Sequence, residues 1–355
     1  MSEVIARLSD DAIALLQQLI QTPSFSREEA GTADLLMQFL GQHGIPAQRQ
    51  GNNVWAVSKT WDASRPTLLL NSHHDTVKPG PSWTYPPFGA TLEGDRLTGL
   101  GSNDAGASAV SLLAVFRYFY EQPTAFNLIC AITAEEEVSG ANGVKSILLE
   151  LGKIDLGIVG EPTGMNAAVA EKGLLVLDGV ARGRTGHAAR DEGDNALYKA
   201  LDDINWLRTY QFPNVSEMLG PVKMTVTQIT AGTQHNVVPD ECRYVVDVRP
   251  TECYSNEEIL EIIRAHVQAD ITPRSTHLQS SGLPLGHPLV QKAVAMGKTT
   301  YGSPTLSDQA LMRFPTLKMG PGDSARSHAP DEYILLSEIR GGIADYIELL
   351  TDFNF

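Results

Sequence analysis

The chain has 355 residues with 27 basic and 42 acidic side chains, a formal net charge of −15, which excludes the basic surface needed to neutralise nucleic-acid phosphates. Its length exceeds the usual single core and predicts two domains, while its 42% hydrophobic and 19% charged content is that of an ordinary globular protein. Cys130, Cys242 and Cys253 show no C-x-x-C spacing; with no signal-like leader and no apolar run of about 18 residues, the expectation is a cytoplasmic protein with no membrane partner.

In chain order, Ser9 followed by Asp10 and Asp11 predicts the cap of a helix whose apolar face is Ile13, Leu16, Leu19 and Ile20. Ser26-Arg27-Glu28-Glu29 reads as a capping box opening a second helix, with Ala33, Leu36, Met37 and Leu40 at helical spacing and Gly44 as terminator. Strand and helix patterns then alternate to about residue 172, and Thr67–Leu70, Leu128–Thr133 and Leu156–Val159 read as buried strands of a parallel sheet. From about 174 to 280 the pattern changes. Leu174–Ala181, Val222–Thr230 and Cys242–Val248 are strand-like, Asn195–Arg208 and Asn256–Val267 are helical, and a weak strand near residue 277 closes a β-α-β-β-α-β unit of ferredoxin-like order. Pro288–Met296, a strand near Thr316–Met319 and a final helix resume the first style. The fold class is therefore α/β, a mostly parallel sheet with helices on both faces. A catalytic domain of residues 1–173 and 281–355 is split by an inserted domain of 174–280.

His73, Asp104, Glu137, Glu161 and His328 each follow a short apolar or glycine-rich run. In open α/β sheets ligands bind beyond the carboxyl ends of the strands, so these distant residues are expected to share one crevice. Imidazole with carboxylate is the ligand mix of a catalytic zinc site. His73-His74-Asp75 is an H-x-D motif in which Asp75 is placed to orient the His73 imidazole. In Glu135-Glu136-Glu137, adjacent carboxylates repel unless solvated or neutralised; a solvated loop is the ordinary reading, and the functional one gives neighbouring glutamates two roles, one on metal and one handling protons. Gly99-x-Gly101 has Asp104 where a dinucleotide fingerprint needs glycine. Each signal alone is ordinary, Asp104 as a helix cap and His328 as a loop histidine; their order carries the reading.

The segments SHHDTV (72–77), GSNDAG (101–106), TAEEEVSG (133–140), GEPT (160–163), RTGHAA (184–189), NVVPDECRYVVDVRP (236–250) and SHAPDE (327–332) resemble, over essentially the whole chain, the dizinc amidohydrolases. That family includes acetylornithine deacetylase, succinyl-diaminopimelate desuccinylase, aminoacylase and the glutamate carboxypeptidases. The resemblance implies two zinc ions, for which cobalt may substitute. His73 and Glu161 would hold one, Glu137 and His328 the other, and Asp104 would bridge them. It further implies Asp75 as orienter of His73, Glu136 as general base for attack by a metal-bridged water, and an inserted lid and dimerisation domain. His187 would reach a partner subunit's site to stabilise the oxyanion, and Arg249, with Asn236 nearby, would bind the substrate carboxylate. An arginine fork suits a planar carboxylate.

Two departures stand out: Ala105-Gly106-Ala107 where many relatives carry a lysine and a further glycine, and Glu135 where an aspartate is common. Neither touches an implied ligand. The wording is most similar to the acetylornithine deacetylase branch, which implies deacylation of an N-acetyl- or N-succinyl-L-amino acid of the ornithine or citrulline type, in arginine biosynthesis. A dipeptidase or carboxypeptidase of the same family is the alternative, and a non-catalytic metal-binding scaffold a remoter one.

Overall fold

The computed structural model describes residues 3–355, so the first two residues of the expected catalytic segment lie outside it. The chain divides into two compact units: residues 3–169, 283–301 and 307–355 form one, residues 170–282 and 302–306 the other.

The first unit opens with α1 (Glu3–Gln21) and α2 (Ala30–Gln42), then β1 (Asn53–Val57), β2 (Thr67–His73), α3 (Ala107–Phe119), β3 (Asn127–Thr133) and β4 (Leu156–Val159), and ends its first passage in β5 (Ala167–Glu171). The second unit runs β6 (Leu175–Arg182), α4 (Ala196–Thr209), β7 (Lys223–Ala231), β8 (Glu241–Arg249), α5 (Asn256–His266) and β9 (Asp270–Pro273). The chain then supplies α6 (Pro288–Ala295), β10 (Thr316–Lys318) and α7 (Leu336–Leu350) to the first unit.

Sheet order in the first unit is β1-β3-β2-β4-β10-β5. The four inner strands are mutually parallel, with Leu69 beside Ile129 on one side and Gly157 on the other, and Ile158 beside Leu317. β1 and β5 flank them antiparallel. Every residue of β2, β3 and β4 is buried, which is why these strands read as continuous apolar runs rather than alternating ones. On one face Leu69, Ile129, Ala131 and Val159 pack with Val144, Ile147, Leu151 and Met312. α3, buried along nearly its whole length, packs on β2 and β3 and against α1 and α7.

The second unit is an antiparallel sheet of order β7-β8-β6-β9, the second, third, first and fourth strands of a β-α-β-β-α-β chain. Its core is built from the inward residues of the alternating strands, Leu175, Leu177, Cys242, Tyr244, Val246 and Val248, closed by Ala196, Ala200 and Leu207 of α4 and Ile259 and Ile263 of α5.

Three local expectations are corrected. α1 begins well before Ser9, which is buried inside the helix and donates its hydroxyl to the Ile5 carbonyl (2.8 Å). That bond to the preceding turn is what an interior serine makes when it does not cap. The expected capping box at Ser26–Glu29 does not form. Ser26 Oγ donates to Asp75 (2.7 Å), and Glu29 instead accepts from the Arg27 and Glu135 amides and from Asn52. The closing strand of the inserted unit is β9, not a segment near residue 277, and residues 302–306 also join that unit. No helix among the described residues is long and apolar enough to cross a membrane.

Candidate metal centre

The parallel register sets His73, the last residue of β2, beside Thr133, the last residue of β3. Past β3 the chain turns sharply through Glu135 (φ 57°) into a short 3-10 turn, Glu136–Val138. Past β4 come Gly160 and Glu161. A side chain at residue 160 would meet Leu112, Ser108 and Ser72 at 2.8–3.3 Å, so only glycine lets α3 lie this close to the strand exit. Asp104 enters from a wide turn, Ser102–Gly106, that precedes α3 and follows a left-handed Gly101 (φ 74°). Its peptide bond to Ala105 is cis.

These strand exits bring together the five expected ligands and Glu136. His73 Nε2 lies 3.4 Å from Asp104 Oδ1, 3.7 Å from Glu161 Oε1 and 3.8 Å from Glu136 Oε2. His328 Nε2 lies 2.9 Å from Glu137 Oε2 and 3.6 Å from Asp104 Oδ2. Asp104 thus turns one carboxylate oxygen to each histidine, which is the geometry of a bridge. Ligand atoms of His73, Glu136 and Glu161 lie within 4.8 Å of one another, as do those of His73, Asp104 and Glu137.

Asp75 does more than stand behind His73. Its backbone carbonyl accepts from His73 Nδ1 (3.0 Å), with its carboxylate Oδ1 at 3.4 Å. Since a carbonyl only accepts, Nδ1 carries a proton and Nε2 is the nitrogen turned to the crevice. The Asp75 carboxylate meanwhile accepts from the Glu136 and Glu137 amides (3.0 and 3.2 Å) and from Ser26. One buried aspartate therefore orients the imidazole and holds the turn carrying Glu136 and Glu137.

Burial and mutual repulsion set the charge balance of the crevice. Burial raises the Asp75 and Asp104 carboxyls, but His73, joined by Ser26 and the Glu136 amide at Asp75 and by Ser327 and His328 at Asp104, holds both below their ordinary values. Burial pushes Glu136 well above its ordinary value; His73 opposes this, while Glu161, Asp308 and Glu137 reinforce it. Burial likewise pushes Glu161 to about 8, with Asp104 and Glu137 adding to it against His73 and Lys318. Burial would lower His73, yet the surrounding carboxylates raise it well above its ordinary value. The hydrogen bond to Glu137 lifts His328 to about 9 against its partial burial. Protons are thus drawn to where positive charge is missing. His73 Nε2 and Glu161 Oε1 are buried with no hydrogen-bond partner among the described residues, an arrangement that costs stability unless a ligand satisfies both. Borderline-soft divalent cations bound by imidazole and carboxylate fit that donor set.

The remaining expected residues lie in the second unit. His187 is exposed on a two-residue strand paired with Val237–Val238, and its Nδ1 accepts from the Ala189 amide (3.1 Å), leaving Nε2 as the outward N–H. Asn236 precedes that partner strand, its carbonyl accepting from the Ala188 amide. Arg249, at the end of β8, forks onto Asp247 through Nε (2.8 Å) and Nη2 (3.1 Å).

Sequence reasoning missed several supports. The Glu332 carboxylate accepts the amides of Gly101, Asn103 and Asp104. Burial and the Asp104 charge push Glu332 up to about 8 although those three amides favour its charged form; a cation beside Asp104 would oppose that rise. Buried Asp308 accepts from Thr133 Oγ1 (2.8 Å) at the end of β3. His74 bridges Thr32 and the Asn52 carbonyl.

Residues 69–352 match the family described as Peptidase family M20/M25/M40. Solved structures of similar fold include the aminopeptidase PepT of Bacillus cereus, at TM-score 0.78 and 17% identity over 96% of this chain and 98% of that one. The M20 family metallo-carboxypeptidase Sso-CP2 of Sulfolobus solfataricus aligns at TM-score 0.72 and 16% identity over 99% of both chains. The Bacillus subtilis YXEP protein, a dinuclear metal binding peptidase from the M20 family, aligns at 0.73 and 16% over 97% of this chain and 98% of that one. At such identities these likenesses establish the fold. The family match covers most of the chain, including all five expected ligands and Glu136. The chain belongs to peptidase family M20/M25/M40 and is a hydrolase of amide bonds.

Proposed function

We propose that the protein is a dizinc N-acyl-L-amino acid deacylase, with cobalt able to replace zinc. The observation that carries the metal reading is Asp104, whose two oxygens face His73 and His328 at 3.4 and 3.6 Å while His73 Nε2 and Glu161 Oε1 lie buried without hydrogen-bond partners among the described residues. His73, Glu161 and Asp104 would hold one ion; Glu137, His328 and Asp104 the other. Two ions held there would supply Lewis acidity, polarising the acyl carbonyl and making water nucleophilic near neutral pH.

Glu136 does the proton work. Its carboxylate is fixed by the turn that Asp75 caps and opens on the same crevice as His73 and Glu161. It takes the proton of the attacking water and returns it to the departing amine nitrogen, so the amide yields a carboxylate and a free amino acid. His187, with Nδ1 engaged, presents its Nε2 proton to the oxyanion in a partner copy's site, in a homodimer assembled through the second unit. Arg249 keeps Nη1 outside its fork with Asp247 and, with Asn236, takes the substrate carboxylate. The motif wording favours acetyl or succinyl derivatives of ornithine or citrulline.

A peptide substrate is the second reading, favoured by similar structures described as an aminopeptidase and a carboxypeptidase. Amine release by zinc-loaded protein from a panel of N-acetyl and N-succinyl amino acids and dipeptides decides between them, with Glu136→Gln as control. Preferential cleavage of acyl-ornithine or acyl-citrulline is expected. A dipeptide preference overturns the deacylase reading in favour of peptidase chemistry.

A further inference from the structure

Of the three ligands of the second proposed metal site, Asp104 and His328 come from two loops, the Asp104 turn and the segment from Gly320 to Glu332, which adjoin the antiparallel pairing of Arg96–Thr98 with Tyr333–Leu335. We infer that Asn103 and Glu332 are positioning residues that clasp these loops together and so set the Asp104–His328 geometry. The inference rests on the two-metal reading above.

The clasp has two arms, one on each side of His328. On the upstream side Asn103 pairs with the backbone of Asp323 as a second strand would. Its Oδ1 accepts the Asp323 amide (3.0 Å), and its Nδ2 donates to the Asp323 carbonyl (3.1 Å) and to Ser327 Oγ (3.4 Å). A side chain at neighbouring Gly322 would lie 2.3 Å from Asn103 Oδ1, and φ there is 93°, so glycine is required for this approach. On the downstream side one Glu332 oxygen accepts the Asn103 and Asp104 amides (2.8 and 2.9 Å) and the other the Gly101 amide (3.0 Å), while the Glu332 carbonyl accepts the Gly99 amide (2.9 Å). Both side chains are buried. Charge-assisted bonds of this kind are the strong ones, and the alternative is four buried groups left unpaired.

The arms differ in what a substitution removes. In Glu332→Gln one oxygen remains, so at most two of the three amide bonds survive and an NH₂ group confronts the third amide. Asn103→Ala removes the upstream arm and leaves the Glu332 bonds to backbone amides. Neither residue touches metal or substrate in this account.

The experiment measures two things on wild type, Glu332→Gln and Asn103→Ala. One is amide hydrogen exchange of Gly101, Asn103 and Asp104 in metal-free protein. The other is a Co²⁺ titration followed by visible absorption, which resolves two equivalents. Glu332→Gln is expected to speed exchange at those three amides while leaving Leu68–Leu70 of β2 unchanged. Both variants should weaken the second equivalent by about 10–100-fold, the usual size of an outer-shell effect, and leave the first nearly unchanged. Equal weakening of both equivalents, or wild-type affinity for both despite faster exchange, overturns the positioning role. Should wild type take up no cobalt, the two-metal reading fails. The clasp is then judged by exchange alone, and unchanged exchange in Glu332→Gln overturns it.

Discussion

The two histidines of the site stand in opposite surroundings. His73 is 1% exposed at the end of an inner strand, whereas the His328 side chain is 54% exposed on a loop. The inner half holds two buried atoms, His73 Nε2 and Glu161 Oε1, that have no hydrogen-bond partner among the described residues. The outer half satisfies itself, since His328 and Glu137 already form a 2.9 Å hydrogen bond. A cation in either half would displace protons; the inner one would also satisfy buried atoms, while the outer one would replace a hydrogen bond already made at an exposed position. The comparison teaches that one crevice sets a buried and an exposed histidine on opposite sides of a single aspartate.

The largest expected effect falls on Glu136, which lies with the inner half by position and which the proposed function makes the general base, not a ligand. Glu136→Gln is expected to lower kcat by about 10²–10⁴-fold with both metal equivalents retained. Loss of an equivalent, read by metal analysis after gel filtration, would make Glu136 a ligand and redraw the inner half.

Metal removal comes next. By mass action an inner ion present at 1,000 times its Kd stabilises the fold by about 4 kcal/mol. Chelation in stages should therefore leave Tm almost unchanged when the first equivalent departs and drop it when the second does. His328→Ala should reproduce the first stage alone, and an equal Tm loss at both stages would dissolve the distinction between the halves.

Acid supplies a smaller test of the inner wall. Burial holds His74 at about 4, below its ordinary 6.5, so between those values the unfolded chain binds the proton and the folded one does not. The stability this histidine confers is complete above pH 6.5 and lost as pH falls towards 4, about 3 kcal/mol in all. In metal-free protein, His74→Gln should flatten the fall of Tm over that window relative to wild type. Parallel profiles would remove His74 from the account.

The smallest effect belongs to Ser26, one of four groups on the Asp75 carboxylate or its carbonyl. Ser26→Ala should cost about 1.5–3 kcal/mol of stability, the worth of a hydrogen bond to a charged group. Urea denaturation measures it, and no change in midpoint would show that the turn is held without the hydroxyl.

What was legible in the sequence was what strand burial writes into residue type. Thr67–Leu70, Leu128–Thr133 and Leu156–Val159 are apolar because both faces of their strands are covered, and the polar residues that interrupt them stand at strand exits. Parallel pairing then carries His73, Glu136, Glu137 and Glu161 to one crevice. The helix starts misled because Ser9 and Ser26 have the residue types of caps but spend their hydroxyls elsewhere, on Ile5 and Asp75. Glu332 and Asn103 were not legible for another reason. They act on backbone amides and carbonyls, and such groups leave no mark on the residue types opposite them. His187, Asn236 and Arg249 came from resemblance alone, since nothing in their spacing distinguishes them from surface residues of an antiparallel unit.

The central claim is a pair of metal ions sharing Asp104, and anomalous diffraction at the zinc edge from zinc-loaded crystals tests it most directly. Two peaks are predicted, one against His73 and Glu161, one against His328 and Glu137, with Asp104 reaching both and Glu136 touching neither. A single peak, or a peak that takes Glu136 as ligand in place of Asp104, would contradict the account.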